Sequence, residues 1–532
     1  MPDRLLAELS RYQPGTWADI IVRNALLHGD VDALVSGRSR ITFAAYNARV
    51  NRLVHALHAL GVGEGEVIGL LSWNSIESFD VLGAAMKGGF IFSPYSPRLR
   101  PADLEHLIAY SEARVLFVGP ELGGPVEEIR ARLTGLTHVV ALERSRPGWL
   151  LHDDLLAAQP DTEPGVDVRE EDPVYIIYTS GTTGVPRGAL YTHARAMHNI
   201  QARVAETPVQ VGDRSVLTLQ LFHVAGMESA QTFLYTGATD VILKTFEPRL
   251  LLETIQEHRI TDVQVVPTTL AALFNLPDFA DYDLSSLRRI VYAASPMPVA
   301  LLQKGMDLWG PIFCQFYGQT ESGPMITTLS RDEHGVAYGS PEEQRILLSV
   351  GRPVPGAQVR IVDEHGVDLP AGQVGEIIAR GKHLMVEYWR RPEETATVLG
   401  PDGWLHTRDM AYADERGYIY IVGRKGDMII SGGENVMPRE IEEVLYRHPA
   451  VNEAAVFGLP DPYWVERVHA MVVLQEGRSA TTEELVAYCR DELAGFKVPK
   501  SLEIVDSLPK NASGKIDKLE LKRRHEEEPP ES

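Results

Sequence analysis

Val174-Tyr175-Ile176-Ile177-Tyr178 runs straight into Thr179-Ser180-Gly181-Thr182-Thr183-Gly184-Val185-Pro186-Arg187-Gly188. The first five residues are apolar, β-branched or aromatic, the composition of a buried strand. The ten that follow carry three glycines, four hydroxyls and one fixed cation. Glycine lets backbone amides approach an anion, hydroxyls donate, and arginine offers a planar fork, so the loop reads as a wrap for a polyphosphate. The spacing is not that of a Walker loop: five residues after Gly181 stands Pro186, where that motif needs glycine. A plain Gly/Ser/Thr linker is the competing reading. The strand before the loop and Pro-Arg-Gly after it count against that.

Outward from this loop, short apolar runs alternate with helical patterns. Val67–Leu71, Val115–Val118, Val216–Leu219, Asp240–Leu243, Val263–Val266 and Arg289–Tyr292 read as strands, and Leu250–His258 and Val299–Leu308 as helices. Such alternation predicts an α/β fold with mostly parallel sheets flanked by helices. Character changes near residue 350. Gln358–Val362, Glu376–Ala379 and a hairpin from Met410 to Val422 predict a small β subdomain at about 350–425. Gly423-Arg424-Lys425-Gly426-Asp427 is a charged, glycine-rich joint, and the domain boundary is placed there. Residues 1–425 then form the N-terminal domain and 426–520 a small mobile α+β C-terminal domain. In the latter a helix starts at Pro438, with Ile441, Val444 and Leu445 on one face. Residues 521–532 are charged and proline-rich and are expected to be disordered.

At 532 residues the chain exceeds what one core supports. A net charge of −22 argues against nucleic acid and anionic membranes as partners. The two cysteines, Cys314 and Cys489, allow no disulfide framework and suit a reduced compartment. Met1–Glu8 lacks the apolar core of a signal peptide, and no run approaches the ~20 apolar residues of a membrane helix. A cytoplasmic protein without integral membrane association is expected; a homodimer is left open. His193 and His198 are five apart, not the i, i+4 of a helical zinc pair, and the other histidines show no metal spacing either. Cys314 has no visible nucleophile partner and reads as packing.

Further motifs follow. Gln315-Phe316-Tyr317-Gly318-Gln319-Thr320-Glu321 gathers an aromatic ring, a glycine, a hydroxyl and a carboxylate. Ala293-Ala294-Ser295-Pro296 is a small-residue segment. Trp404–Asp409 ends in a carboxylate able to accept from two hydroxyls at once. Ser431-Gly432-Gly433-Glu434-Asn435 offers bare backbone. Pro509-Lys510-Asn511-Ala512-Ser513-Gly514-Lys515-Ile516 puts a lysine on a small-residue loop.

Their order closely resembles that of the adenylate-forming enzymes: acyl-CoA synthetases, aryl-CoA ligases, adenylation domains and firefly-type luciferases. The resemblance covers residues ~20 to 520. It implies an ATP/AMP site made by Thr179, Ser180, Gly181, Thr182, Thr183, Gly184, Arg187, Ala294, Ser295, Gln315, Tyr317, Gly318, Thr320, Asp409 and Arg424. Within it Tyr317 stacks on adenine, Gln315 reads its edge, Thr320 meets the α-phosphate and Asp409 holds the ribose. Glu321 is implied as the Mg²⁺ ligand and Lys515 as the catalytic lysine. His223, Val224, Met227 and Met325 match the acyl pocket, and Ser431, Gly432 and Gly433 the loop that meets the coenzyme A thiol. Gly426 falls at the hinge. Three positions depart from the family pattern: Arg187 for the usual Lys, Arg408 for Gly, and Gly426 for Asp or Lys. The activity implied is an AMP-forming acid–thiol ligase, an acyl-CoA synthetase. It uses ATP and Mg²⁺ to activate a fatty, alicyclic or aryl carboxylic acid, and coenzyme A as acceptor. An amine or carrier-protein thiol is the alternative acceptor, and a nucleotide-binding protein without turnover is the reading from another class.

Overall fold

The computed structural model describes residues 9, 15–179, 186–295, 297–431, 434–510 and 516–527. Two large sheets carry the first 350 residues. A seven-stranded sheet runs, edge to edge, through Leu150–Leu151, His138–Ala141, Val115–Val118, Val67–Leu71, Ile91–Tyr95, Pro173–Thr179 and Arg187–Thr192. All its pairs are parallel except the last. Its central strands read as unbroken apolar runs because both faces are covered: every residue of Val67–Leu71 and of Val115–Val118 is buried.

A nine-stranded sheet has a parallel middle and antiparallel strands at both ends. Helices cover these sheets, and large fully buried side chains such as Phe79, Phe92, Phe117 and Phe233 fill the space between. Each contributes about 2–3 kcal/mol of burial free energy. The α/β class with mostly parallel sheets is therefore as the sequence predicts.

The small β unit is a four-stranded antiparallel sheet of Gln358–Val362, Gly375–Arg380, Leu405–Ala413 and Ile419–Arg424. The next sheet begins at Ile429 and has five strands, with Ser501–Ile504 pairing parallel to Val465–Leu474. Helix Pro438–Arg447 buries Ile441, Val444 and Leu445 against it, the face its spacing predicts.

One expectation is overturned. The chain does not become a disordered tail at residue 521, because helix Lys518–Glu527 continues through that point. Leu521 anchors it, 2% exposed and clustered with Phe457, Leu459 and Leu508. Two leucines, Leu519 and Leu521, among charges gave no periodic signal, yet tertiary burial of Leu521 suffices to hold the helix.

Candidate functional site

Strand Phe313–Gln319 turns back into Gly323–Leu329. A Cβ on Gly318 would stand 2.3 Å from the carbonyl oxygen of Gly323, so only glycine allows the two backbones to approach this closely. The turn aims Tyr317 and Gln319 at one acceptor. The Tyr317 hydroxyl and Gln319 Nε2 each donate to Asp409 Oδ2 at 2.7 Å, and Arg424 Nε donates to Asp409 Oδ1 at 2.9 Å. Gln319 Nε2 also reaches the carbonyl of Thr407 at 2.9 Å. Burial, and then the Asp409 charge, hold the Tyr317 phenol well above its usual range, so it stays a donor.

Asp409 owes its direction to a bulge. In the ladder with the neighbouring strand, Glu376 pairs with Met410 and Ile378 with His406, leaving Thr407, Arg408 and Asp409 opposite Ile377. Arg408 sits in the left-handed region at φ 62°. The conformation explains why glycine is the usual residue here; an arginine adopts it at a cost of about 1–2 kcal/mol. The backbone N–H of Arg408 donates to Glu376 Oε1 at 3.1 Å, and its carbonyl accepts from the Lys425 N–H at 2.8 Å. Ala294 is a second non-glycine residue with positive φ, at 73°, in the segment assigned to the other side of the nucleotide. Strained backbone of this kind gathers where a surrounding site over-determines it.

Glu321 is held by groups far away in sequence. Its backbone carbonyl accepts from the Met385 N–H at 2.9 Å, and Oε1 accepts from the Tyr388 hydroxyl at 2.7 Å. The Thr320 carbonyl accepts from the Tyr191 hydroxyl at 2.6 Å. Tyr388 in turn carries Arg187 over its ring, with Cζ 5.4 Å from the centroid. Arg187 Nε lies 2.5 Å from Glu394 Oε2. The cation after the glycine-rich loop is thus engaged with a carboxylate and a phenol. Thr179 pairs with Arg187 across the antiparallel ladder, which defines the base of the loop. Ser180, Gly181, Thr182, Thr183 and Gly184 lie outside the described residues.

Gln319, Tyr388 and Glu394 belong to these networks and received no role from the sequence. Gln319 stood inside a quoted motif, so its amide was the available signal. Tyr388 and Glu394 sit in no motif, and nothing local singled them out.

The donor set fits an adenine nucleotide and a hard cation. Gln315 Oε1 is buried without a hydrogen-bond partner, an acceptor suited to an exocyclic amine. Asp409 and Arg424 offer a carboxylate and a cation side by side, and Glu321 offers carboxylate oxygen.

Behind this wall, helix Val224–Thr236 begins directly after His223, whose ring packs on Phe222 with centroids 4.5 Å apart. Met227 is fully buried in the cluster that includes Tyr317 and, partly buried, Val224. Met325 packs in a different cluster with Ala293, Cys314 and Phe316, on the other face of its strand from Ile326. Met227 and Met325 therefore pack in separate clusters, and the structure does not gather these two pocket candidates in one. Cys314 is packing, as expected, its thiol pushed up to about 12 by burial.

Gly426 lies in the turn after Arg424 without positive φ, so the freedom glycine brings is not used in this conformation. Ser431 is buried and pairs with Val465. Gly432, Gly433 and Lys515 lie outside the described residues. The loop bearing Lys515 has a fixed base, a bridge between Lys510 and Ile516.

The family model of the AMP-binding enzymes matches residues 21–389, and that of the AMP-binding enzyme C-terminal domain matches residues 440–515. The chain belongs to the adenylate-forming, AMP-binding enzyme family. It falls in the acyl-CoA synthetase branch. A feruloyl-CoA synthase of Amycolatopsis sp is 37% identical over 513 residues, covering 96% of this chain and 98% of the relative. A fatty acid–[acyl-carrier-protein] ligase of Streptomyces coeruleorubidus is 36% identical over 497 residues, covering 92% of each. The crystal structure of an anthranilate CoA ligase in complex with anthranoyl-AMP superposes with a TM-score of 0.88 at 30% identity, covering 96% of this enzyme and 97% of that chain. Among the described residues no helix is long and apolar enough to cross a membrane.

Proposed function

We propose that this enzyme joins a carboxylic acid to coenzyme A through an acyl-AMP intermediate, releasing AMP and pyrophosphate. The observation that carries the reading is the convergence of Tyr317, Gln319 and Arg424 on the Asp409 carboxylate, a polar corner built from separate motifs. The full-length likeness to CoA ligases supports it.

In the first half-reaction an acid oxygen attacks the α-phosphorus of ATP, and the bond to the bridging oxygen of pyrophosphate breaks. Tyr317 and Gln315 position adenine, Asp409 and Arg424 the ribose, and the Thr179–Gly188 segment the phosphates. Glu321, oriented by Tyr388, would hold Mg²⁺, which neutralises phosphate charge when bound. Lys515 offsets the charge of the entering carboxylate and of the α-phosphate. In the second half-reaction the C-terminal domain, residues 426–520, turns about Gly426 and removes Lys515. The Ser431–Gly433 segment then meets the thiol, sulfur adds to the acyl carbonyl, and AMP leaves with the former carboxylate oxygen.

The acid is an uncharged-tailed one, fatty, alicyclic or aryl. Val224 and Met227 are apolar, and the buried Arg203 beneath this region is spent on Glu228 at 2.7 Å, leaving it no charge for a second carboxylate. A carrier-protein thiol is the second reading of the acceptor, favoured by the likeness to the fatty acid–[acyl-carrier-protein] ligase. The test is pyrophosphate release over a panel of acids, with and without coenzyme A. Acid-dependent pyrophosphate together with thioester supports the proposal; acyl-AMP that forms while coenzyme A is never consumed overturns the acceptor.

A further inference from the structure

Three side chains from three separate elements meet in the C-terminal unit. His469 comes from strand Val465–Leu474, Glu503 from strand Ser501–Ile504 and His525 from helix Lys518–Glu527. One ligand atom of each lies within 4.8 Å of the others. His525 Nε2 is 3.5 Å and His469 Nε2 3.8 Å from the same Glu503 oxygen, Oε1. Ligands about 2.0–2.2 Å from a tetrahedral metal stand roughly 3.3–3.6 Å apart, so these separations are near those of a metal shell.

Both imidazoles are already held by their other nitrogen. His525 Nδ1 donates to the Leu521 carbonyl at 2.9 Å, which leaves its Nε2 as a lone pair. His469 Nδ1 bonds the Ser501 hydroxyl at 2.7 Å. An outer hydrogen bond on one nitrogen with the other directed inward is how metal-binding histidines are oriented. His469 is 1% exposed, and its Nε2 is buried with no hydrogen-bond partner. Glu503 is too distant for that bond. Left so, the atom costs about 1–3 kcal/mol, which a ligand would remove. The Phe457 ring walls the cluster, edge-on to both imidazoles at 5.1 and 5.6 Å.

We propose that His469, Glu503 and His525 bind one borderline divalent cation, with Zn²⁺ the best match to two imidazoles and a carboxylate, and water completing the shell. The ion would pin helix Lys518–Glu527 to the sheet. That helix starts just after Lys515, so the ion also fixes one end of the loop assigned to adenylation; this consequence rests on the proposed function, whereas binding does not.

The experiment uses the untagged full chain, stripped with EDTA and desalted. ZnCl₂ alone is titrated by calorimetry and CoCl₂ by visible absorption. One Zn²⁺ per chain and the absorption of four-coordinate Co²⁺ are expected. Glu503→Gln lies at a partly exposed position and should leave circular dichroism and the metal-free melting point unchanged, His525→Ala should leave circular dichroism unchanged, and each should weaken Zn²⁺ at least tenfold. Absence of saturable binding overturns the proposal. Equal Zn²⁺ affinity in wild type and the double variant also overturns it, whatever the activity.

Discussion

The Tyr317 hydroxyl donates to Asp409 Oδ2 at 2.7 Å, across 92 positions of sequence. The bond fixes the Tyr317 ring and the Asp409 carboxylate relative to each other, the pair that the proposed function assigns to adenine and ribose. Tyr317→Phe keeps the ring and deletes the bond. A hydrogen bond to a charged acceptor is worth about 1.5–3 kcal/mol, so KM for ATP should rise roughly tenfold or more while KM for the acid stays within about twofold. Steady-state kinetics in both substrates checks this; an equal rise in both would place Tyr317 elsewhere in the reaction.

Lys515→Ala should nearly abolish acyl-AMP formation and spare thioester formation from supplied acyl-AMP. In the proposed function the lysine's charge opposes negative charge only in the first half-reaction. The two half-reactions are followed separately by pyrophosphate release and by thioester absorbance. Equal losses would contradict a role confined to the first.

The sequence supports the α/β class and most strand positions, because parallel strands buried on both faces, such as Val67–Leu71, must be apolar throughout. The residues proposed for the site stood out in the sequence wherever a motif was local: Tyr317, Glu321 and Asp409 each sit in a short run of unusual composition. What escaped was pairing across the fold. Tyr388 meets Glu321 because strand Arg187–Thr192 lies beside residues 386–389, a register no single stretch encodes. His469 and His525 show no ligand spacing in sequence because a strand and a helix bring them together. Helix Lys518–Glu527 was missed for the same reason, its one anchoring residue being visible only once Phe457 and Leu508 are beside it.

Arg187 is tied to Glu394, with Nε 2.5 Å from the carboxylate, and lies over Tyr388. If it acts as a charge near phosphate, Arg187→Lys should reduce kcat/KM for ATP only a few-fold. If its planar fork bridges Glu394 and Tyr388, lysine cannot replace it, and the loss should reach a hundredfold. Glu394→Gln separates these, since freeing the cation should lower KM for ATP in the first case and raise it in the second. The network through Tyr388 to Glu321 favours the second outcome, and parallel measurements on the two variants decide it.

Arg408 pays for the bulge that aims Asp409 with a φ of 62°. Arg408→Gly should raise the thermal midpoint slightly, because relief of left-handed strain of about 1–2 kcal/mol outweighs the added freedom of the unfolded chain. Activity should persist, since Asp409 keeps its partners. A fall in both stability and ATP affinity would show that the arginine side chain has a task the backbone does not reveal.

Acid should destabilise the folded enzyme through its buried histidines. Burial lowers the pKa of His193 to about 3 and of His334 and His383 to about 4, against an ordinary value of 6.5. His193 is fully buried, and its Nδ1 accepts from the Trp17 N–H at 3.2 Å, a bond the protonated ring cannot make. Between pH 6.5 and 4 the unfolded chain binds protons that the folded one refuses. Stability therefore falls as pH drops through this window, by up to about 1.4 kcal/mol per pH unit for each histidine. Urea midpoints measured from pH 7.5 to 4.5 should be flat above about 7 and decline below 6.5. His193→Gln, which keeps an acceptor at this position and removes the titration, should make that decline shallower. A midpoint unchanged down to pH 5 would mean that these rings carry their protons inside the fold.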